Sequence, residues 1–155
     1  MDDHIVIGRL DDLAAMRRLG VACGLEDAGR EDEDILAAWG AWRDGGMVGA
    51  IALERLQGLD TVNWMAVDPA WRRRGIAGRL YAALEHEAHE RGVRRLWVTA
   101  RAPAFFLMHG FEPAPEGPEA TILLGGCLDC DQYGDGCEPR ALTRRLDTMG
   151  STESP

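Results

Sequence analysis

No stretch of this chain approaches the roughly 18 consecutive apolar residues of a membrane-spanning helix. The opening Met-Asp-Asp-His lacks the basic, then apolar, character of a secretory leader. Together these absences lead us to expect a cytoplasmic protein with no membrane partner. Basic residues are also scarce, 17 Arg and Lys against 26 Asp and Glu, for a formal charge of −9. Neutralising a phosphate backbone needs basic side chains in excess, so nucleic acid is not an expected partner. Cysteine is limited to four residues, which in a reducing compartment read as thiols or metal ligands rather than disulfides. No internal repeat is visible, and neither G-x-x-x-x-G-K-[ST] nor G-x-G-x-x-G occurs.

What is present is an ordinary globular composition. The 155 residues are 46% apolar and 28% charged, with five tryptophans for a core or pocket. That length suits one domain, expected over residues 1–147, with a cysteine-bearing insert at about 125–139 and a small, polar, disordered tail at 148–155. Residues 4–10 alternate as a strand, and Asp11 can cap a helix carrying Leu13, Met16 and Leu19 until Gly20. Residues 26–34 are almost all charged and read as an exposed loop or short helix. A hairpin spans 37–54 around Asp44-Gly45-Gly46. Residues 61–67 form a strand stopped by Asp68-Pro69. A helix follows from about 75 to 91, with Ile76, Leu80, Leu84 and Ala88 as its stripe and Gly92 as its cap. Residues 96–100 are a strand, and Pro103 to Gly110 bracket a short helix. Segments 121–124 and 141–146 read as the last strands. The order β-α-β-β-β-α-β-α-β-β implies an α/β (α+β) layer structure, a mixed sheet covered by helices.

The chemistry is concentrated where the strand ending at Val67 hands over to the long helix. The first N–H groups of a helix lack intrahelical partners and lie at its positive end, so this junction is an anion site. Gly75 and Ala77 keep side-chain bulk away from those amides, and Arg72, Arg73, Arg74 and Arg79 make a positive spot in an acidic molecule. A small anionic ligand suits such a spot better than a polymer. The competing reading is a solvated arginine-rich loop.

Arg72-x-x-Gly75-x-Ala77, preceded by a strand and Val67-Asp68-Pro69, resembles the [Q/R]-x-x-G-x-[G/A] signature of the GNAT acetyltransferase superfamily. About 45 residues after that strand begins, Phe105-Phe-Leu-Met-His-Gly110-Phe111 is similar to the family's F-Y-x-x-x-G-F segment. The resemblance is clear over residues 48–113. It implies a mostly antiparallel sheet in which the fourth strand splays from the fifth, with pantetheine of acetyl-CoA lying in the gap. It further implies pairing of the Ala66 and Val67 backbone with pantetheine. The amides of Arg73, Arg74, Gly75, Ile76 and Ala77 would hold the pyrophosphate, and Phe105 and Phe106 would line the CoA side.

Acetyl transfer to an amine needs a proton acceptor and a group that stabilises the leaving thiolate. Many GNAT enzymes use a Tyr hydroxyl for the second task, where this chain has Phe106. Tyr133 is the candidate substitute acid, whereas Tyr81 reads as core. Glu54, at the end of the third strand, is the candidate base, acting directly or through water; a solvated carboxylate is its structural alternative. His109 reads as a helix C-terminal cap, and His86 and His89 as surface residues. Thr99, Ala102, Phe105 and Phe106 are also similar to the acetyltransferase domain of N-acetylglutamate synthase, some of whose short relatives carry cysteine-bearing C-terminal segments.

Cys127-x-x-Cys130 followed by Cys137 has a bite suited to tetrahedral zinc, with Cys23, His109 or an insert Asp as a fourth ligand. Reduced thiols, a redox pair and an Fe–S cluster are the alternatives. The sequence thus leads to an acetyl-CoA-dependent N-acetyltransferase acting on a small-molecule amine or amino-acid acceptor, with zinc as a further cofactor and homodimer formation left open. The competing readings are a non-catalytic acyl-CoA or metal sensor and a protein-interaction module built on the cysteines.

Overall fold

The computed structural model describes residues 4–23, 34–100, 102–128 and 140–146, except for the side chains of 125–128. In chain order the elements are β1 (Val6–Arg9), α1 (Leu13–Ala22), β2 (Ile35–Arg43), β3 (Gly46–Leu56), β4 (Leu59–Val67), α2 (Ile76–Glu90), β5 (Arg95–Ala100), α3 (Ala104–Met108), β6 (Glu112–Pro113), α4 (Pro118–Leu128) and β7 (Arg140–Arg145). The strands follow the order β1-β2-β3-β4-β5-β7-β6. The sheet is mostly antiparallel and flanked by helices, as the sequence leads one to expect.

The described chain packs as two compact units. The first comprises residues 1–54 and 63–91. In it β1 pairs antiparallel with β2, from Val6↔Trp42 to Arg9↔Trp39, and β2 with β3, from Ile35↔Glu54 to Arg43↔Gly46. The β2–β3 turn is the two residues Asp44 and Gly45, at φ 52° and 84°. Left-handed backbone at both positions matches the twist of the flanking strands. The N-cap of α1 is Asp12 rather than Asp11, its carboxylate accepting from Ala15 N at 3.0 Å. The core beneath α1 gathers Leu10, Met16, Ala38, Ala50, Ala52 and Trp64, with Leu13, Leu19, Ile35, Trp42 and Met47 packed on it. The α2 stripe is buried as its spacing requires: Ile76, Leu80, Leu84 and Ala88 are almost wholly removed from water, as is Tyr81. Each large aliphatic side chain buried in this way stabilises by about 2 kcal/mol.

The second unit comprises residues 55–62 and 92–155. Here β4 pairs parallel to β5 at Thr61↔Trp97 and Val62↔Val98. β5 pairs antiparallel with β7 from Arg95↔Arg145 to Ala100↔Arg140, and β6 adds Glu112↔Thr143 and Pro113↔Leu142. Leu96, Val98, Phe106, Phe111, Leu123, Leu142 and Leu146 are buried. Thr143 is buried among them, donating its hydroxyl to Leu96 O at 2.9 Å.

One element differs in kind from the sequence expectation. Residues 121–124 belong to α4, not to a strand. A short apolar run has no diagnostic period, whereas Pro118 in the first turn and Glu119 near the positive helix end both favour a helix. Strand β6 is a two-residue piece too short to show in a periodicity. The charged stretch around 26–33, the cysteine insert beyond Leu128 and the tail 148–155 lie outside the described residues.

Candidate functional site

The turn after β4 is built by short-range hydrogen bonds. Asp68 N donates to Val48 O at 2.8 Å, anchoring the end of β4 beside β3. The Asp68 carboxylate accepts from Ala70 N at 2.9 Å and caps a 3-10 turn at Pro69–Trp71. Arg72 Nε then donates to Val67 O at 3.0 Å, so the first arginine of the motif clasps the strand it follows. Arg73 lies at φ 64° and Gly75 at φ 79°. Left-handed residues in such a turn swing successive N–H groups toward a common point, a concavity suited to an anion.

Gly75 is the N-cap of α2, one position earlier in role than the first helical residue the sequence suggests. With no side chain, it offers no cap hydrogen bond. The first N–H groups of a 15-residue helix are therefore left without a side-chain cap. A Cβ built on Gly75 meets no atom within 4 Å, so the space above it is open. Ile76 is buried and anchors the helix start, while Arg72, Arg73, Arg74 and Gly75 are exposed. The close approach of α2 to the sheet depends on Gly49 of β3. A Cβ there would sit 3.2 Å from both Ile76 Cγ2 and Leu80 Cδ1, and 3.4 Å from Ala66 O.

Two residues without a signal in the sequence lie beside this turn, Trp71 and Arg43, the latter also paired with Asp44 at 3.2 Å. The guanidinium carbons of Arg74 and Arg43 lie 4.8 Å and 5.2 Å from the centroid of the half-buried Trp71 ring. One indole thus stacks two cations beside the turn, and it is Trp71 and Arg43 that the motif alone does not mark. Arg79, counted by sequence in the same positive spot, spends its Nη2 on Ile5 O at 3.1 Å.

Upstream in β4, Trp64 has φ 53°. A left-handed aromatic residue inside a strand marks an irregularity that the surrounding packing must impose. Asn63 serves it directly: its Oδ1 accepts from Trp64 N at 2.8 Å, while its Nδ2 donates to Glu54 Oε1 at 2.7 Å. Glu54, the expected base, is fully buried, so the alternative of a solvated strand-end carboxylate is overturned. Asn is unfavourable in strand interiors, and that misfit was the available signal for position 63. Cys23 Sγ lies 3.7 Å from Val67 O, a weak donor on the carbonyl that Arg72 also holds.

In the second unit, Phe106 is buried and meets Phe111 edge-on at 5.2 Å. Phe105 is half-buried, edge-on to Phe106 at 5.2 Å and stacked on His109 at 4.1 Å. His109 caps α3 as expected, its Nδ1 lying 2.8 Å from Phe105 O. His86 is exposed and His89 Nε2 lies 3.6 Å from Glu85. Tyr133, Cys130 and Cys137 lie outside the described residues, and Cys127 falls on α4. Among the described residues no group of three or more His, Cys, Asp or Glu is placed to hold a metal ion.

Comparison with known proteins bears on this arrangement. The family model described as the acetyltransferase (GNAT) domain matches residues 34–113, more than half of the chain. No curated protein matches by sequence. Among solved structures, Rv2747 from Mycobacterium tuberculosis, in complex with CoA and NLQ, is 23% identical at a TM-score of 0.66, covering 91% of this chain and 99% of that one. The ribosomal-protein-S18-alanine N-acetyltransferase from Escherichia coli is 22% identical at a TM-score of 0.67, covering 92% and 94%. N-acetylglutamate synthase from Neisseria gonorrhoeae, complexed with coenzyme A and N-acetyl-glutamate, is 22% identical at a TM-score of 0.66, covering 94% of this chain and 36% of that one. At these identities the likeness is one of fold.

Proposed function

The chain belongs to the GNAT acetyltransferase family, and from that premise we propose that it moves the acetyl group of acetyl-CoA to the amine of a small molecule or amino acid. The observation that carries the cofactor half is the turn at Arg72, Arg73, Arg74, Gly75, Ile76 and Ala77: an uncapped helix start, an open space above Gly75, and exposed guanidinium groups around it. A pyrophosphate fits that chemistry, because its oxygens accept from backbone N–H groups while the arginines supply charge-assisted bonds. The pantetheine arm runs along Ala66 and Val67 in this reading. Val67 O is already held by Arg72 and Cys23, so Val67 offers its N–H.

The transfer itself is amine attack on the thioester carbonyl. The C–N bond forms, the tetrahedral intermediate collapses, and the C–S bond breaks to release CoA as the thiol. Glu54 takes the amine proton, directly or through a water that enters with the acceptor, and Tyr133 returns a proton to the sulfur. An amino-acid or amine acceptor is supported by the activities for which the neighbours are named, a glutamate acetylated in one case and a protein alanine in another. A cytoplasmic location and a homodimer belong to the same reading, and so does zinc held by Cys127, Cys130 and Cys137 with Cys23.

The experiment is thiol release from acetyl-CoA, measured against a panel of amino acids and polyamines. Acceleration by one of them supports the transferase. Tight CoA binding without acceleration by any acceptor replaces it with an acyl-CoA sensor, the reading that Phe106 in place of Tyr favours.

A further inference from the structure

Asn63 joins two features that are each costly on their own. Its Nδ2 donates to Glu54 Oε1 at 2.7 Å, and its Oδ1 accepts from Trp64 N at 2.8 Å. Glu54 is fully buried in β3. A carboxylate without water is costly unless its oxygens are hydrogen-bonded, and apolar residues in its place are often neutral or stabilising. Trp64, at φ 53°, occupies backbone that costs a bulky residue roughly 1–2 kcal/mol. Asn63 itself lies in the interior of β4, where asparagine is disfavoured. Stability alone explains none of the three choices.

A side-chain amide can serve both neighbours at once, because it carries donors and an acceptor on a single plane. Aspartate would keep an acceptor for Trp64 N but would lose the donor to Glu54 and set a like charge against it. Leucine would lose both bonds.

We propose that Asn63 is a positioning residue for acetyl transfer, its amide fixing the Glu54 carboxylate to the kinked β4 backbone at Trp64. This rests on the reading of Glu54 as base and of β4 as the strand that the acetyl-pantetheine arm follows. Asn63 precedes Ala66 by three residues on that strand. The proton acceptor on β3 and the strand that holds the thioester are therefore tied by one rigid group rather than by two flexible side chains. Transfer rates respond steeply to such geometry.

Three variants test it: Glu54→Gln, Asn63→Asp, and the swapped pair Glu54→Gln/Asn63→Asp, in which the new amide donates to the new carboxylate and the bond is remade in reverse. CoA release from acetyl-CoA is measured with the amine that gives the wild type its fastest turnover, or with water as acceptor if no amine accelerates release. Asn63→Asp lowers kcat by about 10- to 100-fold while KM for acetyl-CoA stays within about twofold. The swapped pair recovers the wild-type melting temperature yet keeps the low kcat of Glu54→Gln. Wild-type kcat in Asn63→Asp, with Glu54→Gln impaired, overturns the role of Asn63 alone. Recovery of kcat in the swapped pair overturns it too, since the bond would then matter only for folding. Wild-type kcat in Glu54→Gln removes the base reading, and the proposal with it.

Discussion

Arg72 Nε donates to the carbonyl of Val67 at 3.0 Å, so the first residue of the arginine motif is partly a strut. It folds back on the end of β4 and fixes the angle at which the turn leaves the strand. Replacing it with Ala removes a charge-assisted bond worth about 1.5–3 kcal/mol together with the guanidinium that would meet the ligand. We expect CoA affinity to fall about 10-fold, with the far-UV circular dichroism spectrum unchanged. Calorimetric titration with CoA measures it; an unchanged Kd would show that the strut is dispensable.

Gly75 tests the helix start directly. It combines φ 79° with open space above its Cα. Gly75→Ala introduces left-handed strain of roughly 1 kcal/mol. Gly75→Glu adds a carboxylate at the anion site, and CoA binding should fall below detection while the chain stays folded. Retained affinity would move the cofactor elsewhere.

Gly49 tests whether the site depends on packing beneath it. Gly49→Val forces atoms to within 3.2 Å of Ile76 and Leu80, and overpacking of this kind costs about 1–3 kcal/mol. The melting temperature should drop by several degrees. Affinity for CoA should weaken with it, because Ile76 is the first helical residue behind the uncapped amides.

By the resemblance of residues 105–111 to F-Y-x-x-x-G-F, Phe106 takes the place of a tyrosine, and its ring is buried against Phe111. Phe106→Tyr would push a hydroxyl into apolar surroundings at a cost of about 1–3 kcal/mol. The expected result is lower stability with no gain in thiol release. A rise in kcat would instead place the general acid at 106 and make Tyr133 unnecessary.

The cysteine reading predicts one zinc per chain in protein purified without a histidine tag, measured by elemental analysis. Its loss on Cys127→Ser/Cys130→Ser is the control. Absence of stoichiometric zinc and iron sinks that reading and leaves reduced thiols.

The path from sequence to site was uneven for identifiable reasons. The long helix was legible because Ile76, Leu80, Leu84 and Ala88 repeat at its own period, and their burial follows from that spacing. The hairpin at Asp44-Gly45 was legible because its turn demands residues that tolerate positive φ. Residues 121–124 misled because four apolar residues carry no period, and capping residues outside the run decided for a helix. Arg43 was invisible as a site residue, since only β2–β3 pairing and the turn after β4 bring it over Trp71.

By itself the sequence determined most of the elements and the glycine-bearing turn before α2, because glycine placement, capping and apolar spacing act over a few neighbouring residues. It also carried the resemblance that leads to acetyl-CoA. Tertiary structure alone decided that Glu54 is buried and that Asn63 is its hydrogen-bond partner. Whether a carboxylate is solvated or buried, and whether an asparagine faces water or a partner nine positions away, depends on which strands pair and in what register, and no local preference encodes that.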